Sequence, residues 1–216
     1  MYREKVVKID TLLAQRYGNH PAVLGWHISN EFGGECYCPL CAKEFQRWLA
    51  KKHGGDIEKL NFEWWTTFWS HNFNSFDEIE PPYSNGDGYS ALVIDWNRFV
   101  TDRTADFIRC EVEAVRKHSS LPATANFMHK YSQLNYYVLE REVDFISWDS
   151  YPLWHCEDGK RITYTLRQNT RSLTTHSAHL KISPLRLWNV RPATPTGKRL
   201  PSLSVRECIS SLLFRR

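Results

Sequence analysis

Gly25-Trp26-His27-Ile28-Ser29-Asn30-Glu31-Phe32-Gly33-Gly34, followed at once by Cys36-Tyr37-Cys38-Pro39-Leu40-Cys41, is the stretch that decides the fold. Residues 22–29 form a mostly apolar run, long enough for a strand buried on both faces as in a parallel sheet. The run ends in an Asn-Glu pair and two glycines. The cysteines after it read as a metal knuckle leading into a helix. Pro39 suits the first turn of that helix, and Leu40, Phe45, Trp48 and Leu49 give it a buried stripe up to Gly54-Gly55. An acid at the C-terminal end of such a strand stands where barrel enzymes keep their chemistry.

Outward from this stretch the pattern repeats. Val6, Ile9, Leu12, Leu13 and Tyr17 fall at helical spacing over residues 4–17, and Gly18-Asn19-His20-Pro21 stops that helix. Asp56 caps a short helix running into Trp64-Trp65. Residues 70–89, rich in Asn, Pro and Gly, read as a loop. A long amphipathic helix is expected over 90–117, with Leu92, Trp96, Phe99, Phe107, Val112 and Val115 inward. Residues 123–128 read as a strand, 134–140 as a short helix, and 143–148 as a third strand ending in Asp149-Ser150-Tyr151-Pro152. Strands alternating with helices argue for parallel βαβ units in an α/β fold. Three strands do not close a barrel, and the chain opens in a helix as if cut from something longer.

The 216 residues suffice for one domain with a sizeable core. The net charge of +4 conceals a split. Residues 1–155 hold 16 Lys+Arg against 21 Asp+Glu, whereas residues 156–216 hold 12 against 3. Of the 30 aromatic residues, all but Tyr164, Trp188 and Phe214 precede position 156. A boundary is therefore expected near Trp154-His155-Cys156, with 1–155 the folded domain and 156–216 a poorly structured basic tail. Leu, Arg, Ser and Thr supply 32 of the tail's 61 residues, as a solvated extension or a shifted reading frame would give. No apolar run is long enough for a membrane span, and no signal peptide is visible. Three of the six cysteines sit within six residues, which fits a reducing, cytoplasmic compartment and metal binding better than a disulfide framework.

Two features carry chemistry. Glycoside cleavage needs one carboxylic acid to protonate the leaving oxygen and a second carboxylate across the bond. Glu31, at a strand end between hydrophobic walls, suits the acid role, and Asn30 can hydrogen-bond a sugar hydroxyl. Cys36, Cys38 and Cys41 are spaced so that their thiolates can converge on one Zn²⁺. Closed structural zinc sites take four ligands, and the spacing selects no fourth among His27, His53, Cys110 and Cys156. Tyr151 and Asp149 at the third strand end can orient a sugar or a partner carboxylate, and Asn126-Phe127-Met128 at the second is a similar but weaker signal.

Residues 16–155 resemble the catalytic barrel of the family 42 glycoside hydrolases, the bacterial-type β-galactosidases. His20-Pro21-Ala22-Val23-Leu24-Gly25-Trp26-His27-Ile28-Ser29-Asn30-Glu31-Phe32-Gly33 carries the likeness, with the cysteine run after it. Asn126-Phe127-Met128 and Asp144-Phe145-Ile146-Ser147-Trp148-Asp149-Ser150-Tyr151-Pro152 complete it. The resemblance implies a partial (β/α)8 TIM barrel, with residues 22–30, 123–128 and 143–148 as strands four to six. It implies retaining hydrolysis of terminal β-galactosides, with Glu31 as acid/base and Asn30 and Tyr151 in the sugar site. It also implies a structural zinc at Cys36, Cys38 and Cys41, whose fourth cysteine ligand belongs to a segment upstream of this chain.

The departures are as informative. The nucleophile Glu that the family carries after its seventh strand has no counterpart, since no Glu occurs between Asp158 and Glu207. The parent function is expected, with this chain inactive alone. Two other classes compete: a zinc-dependent interaction module with a polyanion-binding basic tail, and a carbohydrate binder without turnover. The −5 charge of residues 1–155 counts against nucleic acid as a partner. Homo-oligomerisation is left open.

Overall fold

The computed structural model describes residues 1–82, 88–128 and 131–149. The chain divides into two units, Met1–Ile146 and Ser147–Arg216, and Ser147–Asp149 are the described residues of the second. The boundary expected at 155/156, the tail and Tyr151 all lie outside the described residues.

The elements are α1 (Tyr2–Tyr17), β1 (Trp26–His27), α2 (Pro39–Lys52), α3 (Ile57–Trp64), α4 (Ser90–Arg116), β2 (Ala123–Thr124), β3 (Asn126–Met128), α5 (Tyr136–Leu139) and β4 (Ser147–Asp149). Short 3-10 turns occur at Thr66–Trp69, Phe76–Glu78 and Glu140–Glu142. β1 pairs with β2 in parallel, Trp26 opposite Ala123 and His27 opposite Thr124. Three helices lie on the crossover between them, so the expected βαβ order holds.

The regular strands are shorter than the apolar runs. Residues 20–23 turn instead of extending: Val23 N–H donates to the His20 carbonyl at 3.0 Å, and Ala22 N–H to His20 Nδ1 at 3.2 Å. Pro21 has no N–H for a ladder, which favours that turn. At the other end Ser29 is left-handed (φ 42°), and β1 ends. Parallel contact nevertheless continues past its bounds, through Ile28 N–H to the Thr124 carbonyl at 2.8 Å. The expected strand over 123–128 is interrupted at Ala125. The expected strand over 143–148 starts late, because Asp144 clamps Ala123 from both sides. Its carboxylate accepts from Ala123 N–H at 2.7 Å and its own N–H donates to the Ala123 carbonyl at 2.9 Å. Regular strand follows only at Ser147.

The helices match the sequence closely. Asp56 accepts from the Glu58 and Lys59 N–H groups and so caps α3. Pro39 is the first residue of α2, with Cys38 at its N-cap. Phe45 and Leu49 of α2 are fully buried and Trp48 is half-buried, but Leu40 is 75% exposed, against expectation. Leu40 sits in the first turn of α2, between Pro39 and Cys41. On α4 Leu92, Trp96, Phe99, Val112 and Val115 are buried as expected, and Phe107 is half-buried.

The core under the crossover joins Phe45 and Leu49 of α2, Leu60 and Trp64 of α3, Ile79, and Leu92, Trp96 and Phe99 of α4. Phe45 meets Trp96 edge-on at 5.0 Å between ring centroids. Asp95 is buried in this region and takes hydrogen bonds from Lys52, from Arg98 at 2.9 Å and from Trp64 Nε1 at 3.0 Å. At the opposite end of α4, α1 approaches so closely that a Cβ on Gly18 would lie 2.6 Å from the His118 carbonyl oxygen. Ser119 Oγ donates to the Gly18 carbonyl and accepts from Trp26 Nε1, tying both helices to β1.

Candidate active site

Glu31 lies just beyond the C-terminal end of β1. The chain reaches it through two left-handed residues, Ser29 (φ 42°) and Glu31 itself (φ 45°). Such backbone costs about 1–3 kcal/mol per non-glycine residue and persists only where its surroundings enforce it. Here they do. Ser29 Oγ donates to Glu111 Oε1 of α4 at 2.6 Å. Glu31 N–H is shared between the Asn126 carbonyl at 3.2 Å and Asn126 Oδ1 at 3.1 Å. Phe32 is buried between Phe107 and Phe127, with ring centroids 6.2 and 6.3 Å away. Glu31 is therefore held from both sides of its own backbone, half-buried, while Asn30 is exposed.

A polar rim borders it. Gly34 N–H donates to Tyr131 Oη at 3.0 Å, and Tyr136 Oη donates to the Met128 carbonyl. Burial pushes the Tyr136 phenol up to about 12, and the Glu31 carboxylate nearby adds to the rise. Gly33 sits close beneath the rim: a Cβ there would stand 2.7 Å from Met128 Cε, so that side chain would have to move.

Asn126 is more deeply involved than its sequence signal suggested, and Tyr131, Tyr136 and Ser29 carried no signal of their own. Glu111 had one that could have been used. It shares a face of α4 with Ile108, Val112 and Val115, so its spacing places a carboxyl on the buried stripe. It is 3% exposed, its Oε2 has no hydrogen-bond partner among the described residues, and burial raises its pKa above the usual carboxylate range.

Five residues further on, the thiol sulfurs of Cys36, Cys38 and Cys41 all lie within 4.8 Å of one another. Cys38 and Cys41 Sγ are 3.6 Å apart. Four thiolates about 2.3 Å from a tetrahedral zinc would be spaced about 3.8 Å, so the three fit one face of such a site. The backbone N–H of Cys41 leads the hydrogen bonds that hold the exposed Cys38 thiol down to about 7. Burial, followed by its two cysteine neighbours, pushes Cys41 up to about 12. Among the described residues no fourth ligand joins the cluster; His53 is buried beside Asp95, and Cys110 is on α4.

Comparison with known proteins agrees with this geometry. The glycoside hydrolase 42 β-galactosidase family model matches residues 1–185. β-Galactosidase BglY of Alicyclobacillus acidocaldarius is 49% identical over 160 residues, covering 73% of this chain and 23% of its own. β-Galactosidase GanA of Bacillus subtilis is 47% identical over 163 residues, covering 72% and 24%. The chain thus spans about a quarter of the length of the curated relatives it matches. Among solved structures, the cold-adapted β-galactosidase of Rahnella sp. R3 superposes with a TM-score of 0.78 at 37% identity, over 97% of this chain and 32% of that one. Gan42B, a family 42 β-galactosidase of G. stearothermophilus, gives 0.78 at 41% identity, over 86% and 28%. The βα units described above are accordingly a part of a (β/α)8 barrel, and the chain belongs to glycoside hydrolase family 42, the β-galactosidases.

Proposed function

We propose that this chain carries the acid/base half of a retaining β-galactosidase site. Glu31 protonates the departing oxygen and then, as carboxylate, activates water; Asn30 and Tyr151 hold the sugar. The supporting observation is the double anchoring of Glu31 at the end of a parallel strand, through Asn126 on one side and Phe32 on the other. A retaining site needs its two carboxyl groups about 5–5.5 Å apart. The sequence offers no Glu between 158 and 207 for the second. Alone, the chain is therefore inactive, because without a nucleophile no covalent intermediate forms. Assayed with a chromogenic galactoside, the purified chain should show no turnover above buffer. Hydrolysis that disappears in Glu31→Gln would overturn this and make another carboxylate, such as Asp149, the nucleophile.

Cys36, Cys38 and Cys41 are proposed to hold a structural zinc whose fourth position is filled from outside the described residues. Wild type should bind one equivalent and Cys38→Ser much less; equal zinc in both would reduce the cysteines to packing. The thiols are free, which supports our placing the protein in the cytoplasm.

A further inference from the structure

The geometry that suits the three-thiol cluster to a metal also suits two of its thiols to each other. Cys38 and Cys41 occupy the N-cap and third position of α2, a helix of 14 residues, with Pro39 fixing the turn between them. Their sulfurs are already 3.6 Å apart. A disulfide needs about 2.05 Å, so side-chain rotation closes most of the gap without unwinding the helix. Cys36 and Cys38 are exposed and Cys41 is half-buried, so within the pair an incoming disulfide reaches Cys38 before Cys41. Tyr37, stacked on Trp96 at 5.2 Å, pins the segment to the core and keeps the backbone in register while the side chains move. The third thiol, Cys36, lies two residues before Cys38, too short a span to bridge in an extended chain with comparable ease.

We propose that Cys38 and Cys41 form a thiol–disulfide pair that closes by exchange with a low-molecular-weight disulfide and competes with metal for the same cluster. The Cys38 sulfur attacks glutathione disulfide, forming a mixed disulfide and releasing one glutathione as its thiol. Cys41 then attacks the Cys38 sulfur, forming the protein disulfide and releasing the second glutathione. Two thiols are oxidised, one disulfide is reduced, and the two protons pass to the departing glutathione thiolates. The closed pair leaves Cys36 as the sole thiol of the cluster, and one thiolate does not hold a structural zinc. Oxidation thus expels the metal, and metal protects against oxidation. The proposal is independent of the galactosidase reading and is tested without any activity assay.

The full chain, stripped of metal by a chelator, is incubated with glutathione disulfide and its free thiols are then alkylated. Chymotryptic cleavage after Tyr37 separates Cys36 from the pair, and mass spectrometry reads each fragment. The expected result is a Cys38–Cys41 disulfide, lighter by two hydrogens, with Cys36 alkylated. Cys36→Ser should keep the disulfide, and Cys41→Ser should stop at glutathione on Cys38. Zn²⁺ at about 100 times its dissociation constant should slow closure about a hundredfold, because only the free cluster reacts. Three alkylated cysteines in the wild type, or a bridge that involves Cys36 or a second chain, would overturn the pairing. Closure unaffected by zinc would overturn the competition. Mapping the wild type first makes the result independent of how any variant folds.

Discussion

The two ends of α4 carry buried acids of opposite behaviour. Near its N-terminal half, Asp95 is wrapped by Lys52, Arg98 and Trp64. Burial would raise its pKa, but those hydrogen bonds win and hold it below the ordinary carboxylate range. Near its C-terminal half, Glu111 has Ser29 as its hydrogen-bond donor, and Asp10 of α1 as a like-charged neighbour. Burial wins there, and both Glu111 and Asp10 titrate above their ordinary values. One helix thus contains a satisfied anion and an under-satisfied one. The satisfied one belongs to the aromatic core; the other lies under the strand end that carries Glu31.

The pH consequences have opposite sign. A carboxyl raised on folding favours the fold fully below its unfolded value, and that contribution is lost as pH rises through the folded value. Glu111 and Asp10 therefore cost stability above about pH 4.5. Groups lowered on folding stabilise above their unfolded value and lose that contribution as pH falls. Asp95 behaves this way below its ordinary 3.8. His53 does so below 6.5: burial and Lys52 depress it, against the opposing pull of Glu63 and Asp95. Glu63 Oε2 comes within 3.0 Å of its Nδ1, and burial outweighs that attraction. Mild acid should loosen the α2–α3 region while relaxing the strain beneath β1.

The largest expected effect comes from removing the satisfied anion. Asp95→Ala leaves Lys52 without its buried partner and Trp64 Nε1 without an acceptor, and should cost about 3 kcal/mol in urea denaturation at neutral pH. A loss under about 1 kcal/mol would mean that the two ends of α4 do not differ as described. Next, hydrogen-exchange protection should diverge between pH about 7 and about 5. Amides of α2 and α3 should lose up to about tenfold in protection, while those of α1 and the α4 C-terminal half hold or gain. A uniform change along the chain would erase the contrast. Glu111→Gln keeps an acceptor for Ser29 but removes the buried charge. It should gain about 1 kcal/mol near pH 8 and nothing near pH 4, as read by thermal melts at both. Loss of stability at pH 8 would show that the charge is needed. Smallest, Asp56→Ala removes the α3 cap and should cost about 0.5–1 kcal/mol. This cost should be equal at pH about 7 and about 6; a strong dependence there would tie the cap to His53.

The sequence made the helices legible because their signals are local. The cap at Asp56, Pro39 at the start of α2 and the 3.6-residue stripe of α4 each act within one turn. The cysteine spacing brought the three thiols to one point, and the apolar run placed Glu31 at a strand end. Strand extent was less legible, because Pro21 and Asp144 spend backbone partners on local turns and side-chain clamps, and an apolar run does not reveal this. The supports of Glu31 were hidden for another reason. Ser29 and Glu111 are 82 residues apart, and Glu31 and Asn126 are 95 apart. Parallel pairing and the packing of α4 against the strand end bring them together, and no local pattern encodes either. Leu40 shows the converse, an apolar residue at the right spacing that stays 75% exposed.

The left-handed backbone at position 31 sets the terms on which this residue can vary. Glycine adopts that conformation without steric cost, and asparagine with less than most side chains. A library of position-31 variants sorted for thermal resistance should therefore enrich Gly and Asn over the glutamate. Sorting by catalysis in a completed barrel should keep Glu. If Glu31 has the proposed acid/base role, position 31 is a site where endurance and chemistry pull the same codon in different directions.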